Sequence, residues 1–348
     1  MSVTRAGDIN HLMALLRRRT SALVLVDSEL PSGVLGPLSV WAAEIGTIRV
    51  ERVAVTPKSL EIASELVTRL FHSPTSTVIA VGGGSLCDMA SFAASCANRR
   101  INLVLVPTTT VAMCDAAISR AAGIDVDGIK NMWSCSSATK EVVVCPALLQ
   151  YLPQNHLVSG LSEVIKMVYM DHTTPSDLER LRKLGLSVQL GDFNALVATV
   201  KWGMEIQGRW QTSIRSSGLN LFGHNVGHAL EVTTGLPHGE SVAHGMLVEL
   251  RMAAFEGLFV AETFTSLCST FSSYGLPTTP AADLDIDPRD LEAAAIRQRL
   301  SDGTHLDLWI PQIHHSPRHL KVPSSRVKDA LVAHTKTNYR DKESTQEE

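Results

Sequence analysis

The sequence predicts an α/β first half built on a parallel sheet, followed by a helical second half. Three observations carry this. The first half alternates Val- and Ile-rich runs with helix-patterned stretches. The strand runs largely stop after about residue 150. A triple glycine, Gly82-Gly83-Gly84, follows directly on one of the strand runs.

The runs are Ala22–Val26, Val50–Val55, Thr77–Val81, Leu103–Val106 and Glu141–Cys145. Each is continuous rather than alternating and is flanked by turn residues. A strand covered on both faces reads this way, because neither face needs polar side chains. Between them, Leu60–Phe71 and Asp88–Ala97 place apolar residues three or four apart, as one face of a helix does. Strand–helix alternation implies parallel strands with helices layered on the sheet. At Leu152-Pro153 the proline suits the first turn of a helix. Beyond it Leu157–Met170, Leu196–Trp210, His224–Val232 and Val242–Phe259 read as helices, and Leu306–Ile310 as a short strand. The expected domains are 1–152 and 153–348. The polar tail from Thr335 is expected to fray.

A chain of 348 residues is long enough for two cores. Its balance of 45% hydrophobic and 19% charged residues is that of a globular protein. A net charge of -4 leaves no basic surplus to neutralise nucleic-acid phosphates, so a nucleic-acid partner is not expected. A local basic pocket for a small anion is compatible with it. The six cysteines form no CxxC pair and most lie in apolar runs, which fits buried thiols in a reducing compartment. Met1-Ser2-Val3-Thr4-Arg5 opens no signal-peptide pattern, and no run reaches the roughly 18 apolar residues of a membrane span. The cytoplasm is the expected setting.

Chemistry concentrates in two places. Gly82-Gly83-Gly84-Ser85-Leu86-Cys87-Asp88 lets backbone N–H groups approach a phosphate, and the following helix offers its positive end. It is not the GxGxxG fingerprint. Pro107-Thr108-Thr109-Thr110 follows another strand run. Ligands of open α/β sheets sit at strand carboxyl ends, so the two loops together predict a nucleotide site.

The second place is Gly160-Leu161-Ser162-Glu163-Val164-Ile165-Lys166 together with Gly223-His224-Asn225-Val226-Gly227-His228-Ala229-Leu230-Glu231 and His238-Gly239-Glu240. Glu163 and Lys166 share one helical face, as do His224 and His228. One carboxylate and three imidazoles suffice for a three-ligand divalent metal site with an open position, the catalytic kind. Spacing allows Glu163 with His224 and His228, or Glu163 with His224 and His238. His244 reads more simply as a partly buried polar residue.

These motifs, in this order from about Val78 to Met246, resemble the dehydroquinate synthase superfamily and specifically its sugar phosphate cyclase branch. The resemblance adds Asp115, Lys130-Asn131 and Leu152-Pro153 to the segments above. It implies an N-terminal Rossmann-like domain, a C-terminal helical metal-binding domain, bound NAD, a Zn²⁺ or Co²⁺ ion and a homodimer. It selects Glu163, His224 and His238 as metal ligands and moves His228 to the substrate. It implies NAD contacts at Asp27, Gly83, Gly84, Ser85, Asp88, Thr108, Thr109 and Lys130. It implies catalytic or substrate-positioning roles for Lys130, Asn131, Lys166, Lys201, His228, Asp115 and Arg99. The implied reaction oxidises a secondary alcohol transiently, eliminates phosphate, returns the hydride and closes a carbocycle by an intramolecular aldol step.

Departures fall in the substrate pocket. The family lysine after the Thr-Thr loop aligns with Ala121, with Arg120 adjacent. The position three residues before the first motif histidine is Leu221, with Asn220 beside it. The arginine that holds a substrate carboxylate aligns with Ser217. A late Asp-Lys-Lys segment is missing, leaving Arg297 or Arg299 as replacements. The ribose-gripping residues are replaced around Thr56-Pro57-Lys58-Ser59. Serine does not replace a bidentate Arg–carboxylate contact, so the shikimate-pathway acid is not the expected substrate. A divergent cyclase of secondary metabolism, acting on a modified sugar phosphate or related polyol, is. The alternatives are a metal- and NAD-dependent polyol or glycerol dehydrogenase and a degenerate relative without turnover.

Overall fold

Met1–Leu157 forms one compact unit, and its framework is a six-stranded sheet in which every pairing is parallel. In this computed structural model the described residues are 1–171, 174–212, 218–278, 286–298, 304–313 and 315–333. The strands are β1 (Ser2–Arg5), β2 (Ala22–Asp27), β3 (Ile48–Val53), β4 (Thr77–Gly82), β5 (Asn102–Pro107) and β8 (Thr139–Val144). The helices α1 (Ile9–Leu16), α2 (Ser32–Ile45), α3 (Leu60–His72) and α4 (Gly84–Cys96) connect the first five. The spatial order is β1-β8-β5-β4-β2-β3. Leu23–Val26, Val78–Val81 and Leu103–Val106 are all buried, as their continuous apolar sequences require.

That order has a consequence for function. From β2 the chain steps outward to β3, then returns across β2 to β4. The switch point therefore lies between β2 and β4, where open α/β sheets bind ligands at the strand carboxyl ends. β2 ends at Asp27 and β4 at Gly82, the first residue of the glycine loop.

A separate antiparallel pair, β6 (Ala121–Val126) and β7 (Ile129–Ser136), projects from the segment after β5. Asp127 and Gly128 join the two, with φ of 52° and 74°. Both central positions at positive φ make the tight turn that matches strand twist. Between β5 and β6 lies a π-helical turn, Ala112–Ala116, which carries Asp115.

Val158–Glu348 forms the second unit, so the division falls within the short helix α5 (Gln154–Ser159) rather than at Leu152-Pro153. Its centre is α6 (Leu161–Met170), buried at every position. Around it run α7 (Pro175–Gln189), α8 (Phe193–Thr212), α9 (His224–Thr234), α10 (His238–Phe255), α11 (Ala261–Tyr274) and α12 (Pro288–Gln298). Expected helices 157–170 and 242–259 differ from these in their bounds. Gly160 interrupts the first, and α10 starts at His238, directly after Pro237. This unit is not purely helical. β9 (His305–Gln312) and β10 (His315–Pro323) pair as an antiparallel hairpin that includes the expected strand at Leu306–Ile310. Among the described residues no helix is long and apolar enough to cross a membrane.

Candidate functional site

In the helical unit, α6 sets the centre. A helix buried all round is apolar, yet α6 carries Glu163 and Lys166 at 0% exposure. Burial of charge is tolerable only with partners. Lys166 Nζ donates to Glu163 Oε2 at 2.5 Å and to the Asn220 carbonyl at 3.2 Å. The other carboxylate oxygen, Glu163 Oε1, is buried without a hydrogen-bond partner. It lies 3.4 Å from His224 Nε2 and 3.4 Å from His238 Nε2.

The histidine rings are oriented by their far nitrogens. His224 Nδ1 donates to the Phe222 carbonyl at 3.2 Å, which leaves the lone pair of the neutral ring on Nε2. His238 Nδ1 lies 2.9 Å from Glu231 Oε2, the carboxylate–histidine pairing that fixes a metal-binding tautomer. One carboxylate oxygen and two imidazole Nε2 atoms thus converge on a shared point. That mixed oxygen–nitrogen set suits Zn²⁺ or Co²⁺, and it gives the orphaned Oε1 the partner it lacks. His228, one turn along α9, has its ring centroid 5.2 Å from that of His224 and 5.7 Å from that of His238. Ligand atoms of the three histidines lie within 4.8 Å of one another, so spacing alone admits His228 as well. The oxygen facing both other rings favours Glu163.

The charges reinforce one another. Burial would raise the Glu163 pKa, but the Lys166 ammonium and the two imidazoles hold it well below the ordinary carboxylate value. Burial would lower that of His238, but Glu163 and Glu231 outweigh it and lift it to about 9. The cluster is built to hold positive charge.

In the sheet unit, the two expected loops are adjacent. Thr108 N donates to the Gly82 carbonyl at 2.9 Å, and Thr109 Oγ1 accepts from Ala112 N at 3.2 Å. Gly83 is the N-cap of α4 and no side chain caps the helix, so its first backbone N–H groups have no side-chain acceptor there. Asp27 Oδ1 accepts from Glu29 N at 3.1 Å at the end of β2. Lys58 Nζ donates to Asp88 Oδ2 at 2.8 Å and to Asn131 Oδ1 at 2.7 Å. Asn131 adopts φ 52°, which asparagine tolerates, and its amide donates to Asp125 Oδ1. Lys130 Nζ lies 3.2 Å from Asp125 Oδ2. Asp115 is half-buried on its π-helical turn.

Arg99 does not join these residues. Its guanidinium donates to the carbonyls of Leu70, Phe71, Ser73 and Thr75. Those carbonyls precede β4, at the edge opposite the glycine loop, and they use the side chain structurally. Lys201 is exposed on α8, and among the described residues no hydrogen bond joins it to the histidine cluster. Ala121 and Arg120 are both exposed, at the start of β6 and just before it. Arg297 is exposed near the end of α12. Leu221 and Asn220 share a short 3₁₀ turn; the Asn220 carbonyl meets Lys166, and its Oδ1 is buried without a partner. Ser217 and Arg299 lie outside the described residues. Sequence reasoning missed Lys58, which donates to Asp88 and Asn131, and Glu231, which pairs with His238. Glu231 stood inside the histidine motif, but its partner His238 is reached only through the loop after α9.

Comparison with known proteins identifies the family. The family model for the 3-dehydroquinate synthase N-terminal region matches residues 50–159, and that for the C-terminal region matches 160–298. The 3-dehydroquinate synthase of Dehalococcoides mccartyi strain 195 is 30% identical over 71% of this chain and 70% of its own. That of Rhodospirillum rubrum is 31% identical over 83% of this chain and 76% of its own. Among solved structures, 2-epi-5-epi-valiolone synthase from Streptomyces hygroscopicus subsp. jinggangensis 5008, with NAD⁺ and Zn²⁺ bound, superposes with TM-score 0.79. It is 21% identical and the match covers 95% of this chain and 96% of that one. A 2-deoxy-scyllo-inosose synthase complexed with carbaglucose-6-phosphate, NAD⁺ and Co²⁺ gives 0.77 at 18% identity, over 94% and 95%. The fold is theirs, and by the matched sequence the chain belongs to the 3-dehydroquinate synthase family.

Proposed function

We propose that the chain is a divergent sugar phosphate cyclase of secondary metabolism, a carbon–oxygen lyase that uses NAD and a divalent metal without consuming either. The observation that carries this reading is the buried Glu163 Oε1, equidistant from His224 Nε2 and His238 Nε2 and backed by Lys166. A carboxylate so placed has no structural need that a cation would not meet better.

Glu163, His224 and His238 would hold Zn²⁺ or Co²⁺, a Lewis acid that lowers the pKa of a substrate hydroxyl. NAD, bound by Asp27, Gly83, Gly84, Ser85, Asp88, Thr108, Thr109 and Lys130, would supply a reversible hydride acceptor. His228, Lys166, Lys130, Asn131, Lys201 and Asp115 would orient hydroxyls, move their protons and hold the leaving phosphate. Both metal- and NAD-containing cyclases of this fold support the cofactor assignment. The homodimer and the setting in antibiotic biosynthesis rest on the family resemblance and belong to the same proposal.

Ser217, at the position of the carboxylate-binding arginine, argues for a substrate lacking a carboxylate. The test is incubation with hexose, heptose and deoxy sugar phosphates, catalytic NAD⁺ and Zn²⁺ or Co²⁺. Released phosphate together with a carbocycle, identified by mass, is the expected result. Stoichiometric NADH from a polyol without phosphate release would instead select a dehydrogenase.

A further inference from the structure

Helix α9 begins in an unusual way. Its first residue is His224, so the start of the helix places a metal-site ligand. The preceding Gly223 has φ 79°, a left-handed conformation suited to glycine. A Cβ there would lie 2.5 Å from Met246 Cγ and 2.8 Å from the Val242 carbonyl. Position 223 therefore cannot carry the Ser, Thr, Asp or Asn side chain that ordinarily caps a helix.

The cap comes from another helix. Glu249 on α10 is fully buried. Its Oε2 accepts from Gly223 N at 2.8 Å, and its Oε1 accepts from Asn225 N at 3.0 Å and Val226 N at 3.3 Å. Val242, Met246 and Glu249 recur at helical spacing along one face of α10, so the contacts that forbid a side chain at 223 also deliver the carboxylate. The charge matters too. A helix N-terminus carries partial positive charge, which disfavours a cation held by its first residue. A carboxylate bonded to those same amides offsets that field.

We infer that Glu249 is a positioning residue of the metal centre: by capping α9 from α10 it fixes His224 and sets the affinity of the site for a divalent cation. The inference rests on the metal reading above. Glu249 touches neither substrate nor cofactor in this role; it acts through the helix.

The experiment measures Zn²⁺ affinity by competition with a chromophoric chelator, on wild type, Glu249→Gln and Glu249→Ala. Leu181→Ala, a cavity variant in α7, controls for general destabilisation. Glu249→Ala is expected to weaken Zn²⁺ binding about tenfold or more, the usual consequence of losing a ligand's support. Glu249→Gln, which keeps an acceptor but not the charge, falls between. The visible spectrum of the Co²⁺-loaded protein shifts in both and not in Leu181→Ala. Folded Glu249 variants with wild-type Zn²⁺ affinity and Co²⁺ spectrum overturn the inference alone. Wild type that takes up no stoichiometric Zn²⁺ overturns the metal reading, and this inference with it. If neither variant folds, hydrogen exchange in wild type decides: Gly223, Asn225 and Val226 amides must be protected, and exchange like a frayed helix end overturns the capping role.

Discussion

Lys166 Nζ lies 2.5 Å from Glu163 Oε2, and both side chains are wholly buried on one face of α6. The ammonium occupies one carboxylate oxygen and leaves the other for the histidines. Lys166→Met would strand a buried carboxylate, and breaking such a pair costs about 3–5 kcal/mol. Denaturant unfolding of the metal-free variant should show a loss of that order, and the reading of Glu163 as a ligand predicts that Zn²⁺ partly restores it. The double variant Lys166→Met, Glu163→Leu should be less destabilised than Lys166→Met alone. Unchanged stability in Lys166→Met would mean the pair does not hold the centre together.

The partition of the histidines is open to direct measurement. All three lie close enough to share an ion. With Glu163, His224 and His238 as the ligands, Glu163→Ala and His238→Ala lose metal and activity while remaining folded. His228→Asn keeps stoichiometric metal and loses turnover. Metal content by elemental analysis after gel filtration separates the two sets. Loss of metal in His228→Asn together with retention in Glu163→Ala would reverse the assignment.

His244 is buried on α10, and neither ring nitrogen has a hydrogen-bond partner among the described residues. Burial pushes its pKa from 6.5 down to about 4. Between those values the unfolded chain binds a proton that the folded chain does not, so stability falls as pH drops through the window. Above it the ring is neutral in both states. Two and a half units correspond to about 3 kcal/mol, fully lost only below the lower value. His244→Leu removes this loss, and at pH 7 it should hold or raise stability by replacing an unpartnered polar ring. Unfolding curves for both proteins at pH 7 and near pH 4 provide the check; parallel losses would clear His244 of the effect.

Much of the fold was legible because buried parallel strands are apolar along their whole length, as Leu23–Val26 and Leu103–Val106 are. β1 was not, because its four residues Ser2–Arg5 lie at the sheet edge and are mostly exposed. The β6–β7 hairpin carried a readable signal, Asp127-Gly128 between two strand-like runs, and was overlooked. Glu163, His224 and His238 stood out through local motifs and family order, and the structure brings the three side chains together. Lys58, Glu231 and Glu249 were not assigned, because no periodicity links them to their partners. Lys58 meets Asp88 and Asn131, 30 and 73 positions on, and Glu231 meets His238 across a loop 7 positions on. Glu249 meets Gly223, Asn225 and Val226, 23 to 26 positions back. Arg99 was misassigned because a guanidinium closing a loop of carbonyls and one facing a substrate look alike in sequence.

Substitution can separate the packing role of the glycine loop from the nucleotide-binding role proposed for it. A Cβ on Gly82 would lie 2.8 Å from Leu86 Cδ2 and 3.0 Å from Asp27 Cβ, whereas one on Gly84 would lie 3.5 Å from Ala116 Cβ. Gly82→Ala must push the end of β4 away from its neighbours, at a cost of about 1–3 kcal/mol. Gly84→Ala has room, and alanine is the better helix former, so the fold should tolerate it. Yet its methyl group stands at the bare N-terminus of α4, where a pyrophosphate would meet the backbone amides. Gly84→Ala should therefore keep its melting temperature and lose NAD⁺ affinity by calorimetric titration, the opposite of what packing alone predicts. If Gly84→Ala binds NAD⁺ as wild type does, the glycines serve packing only and the nucleotide does not rest on this helix end.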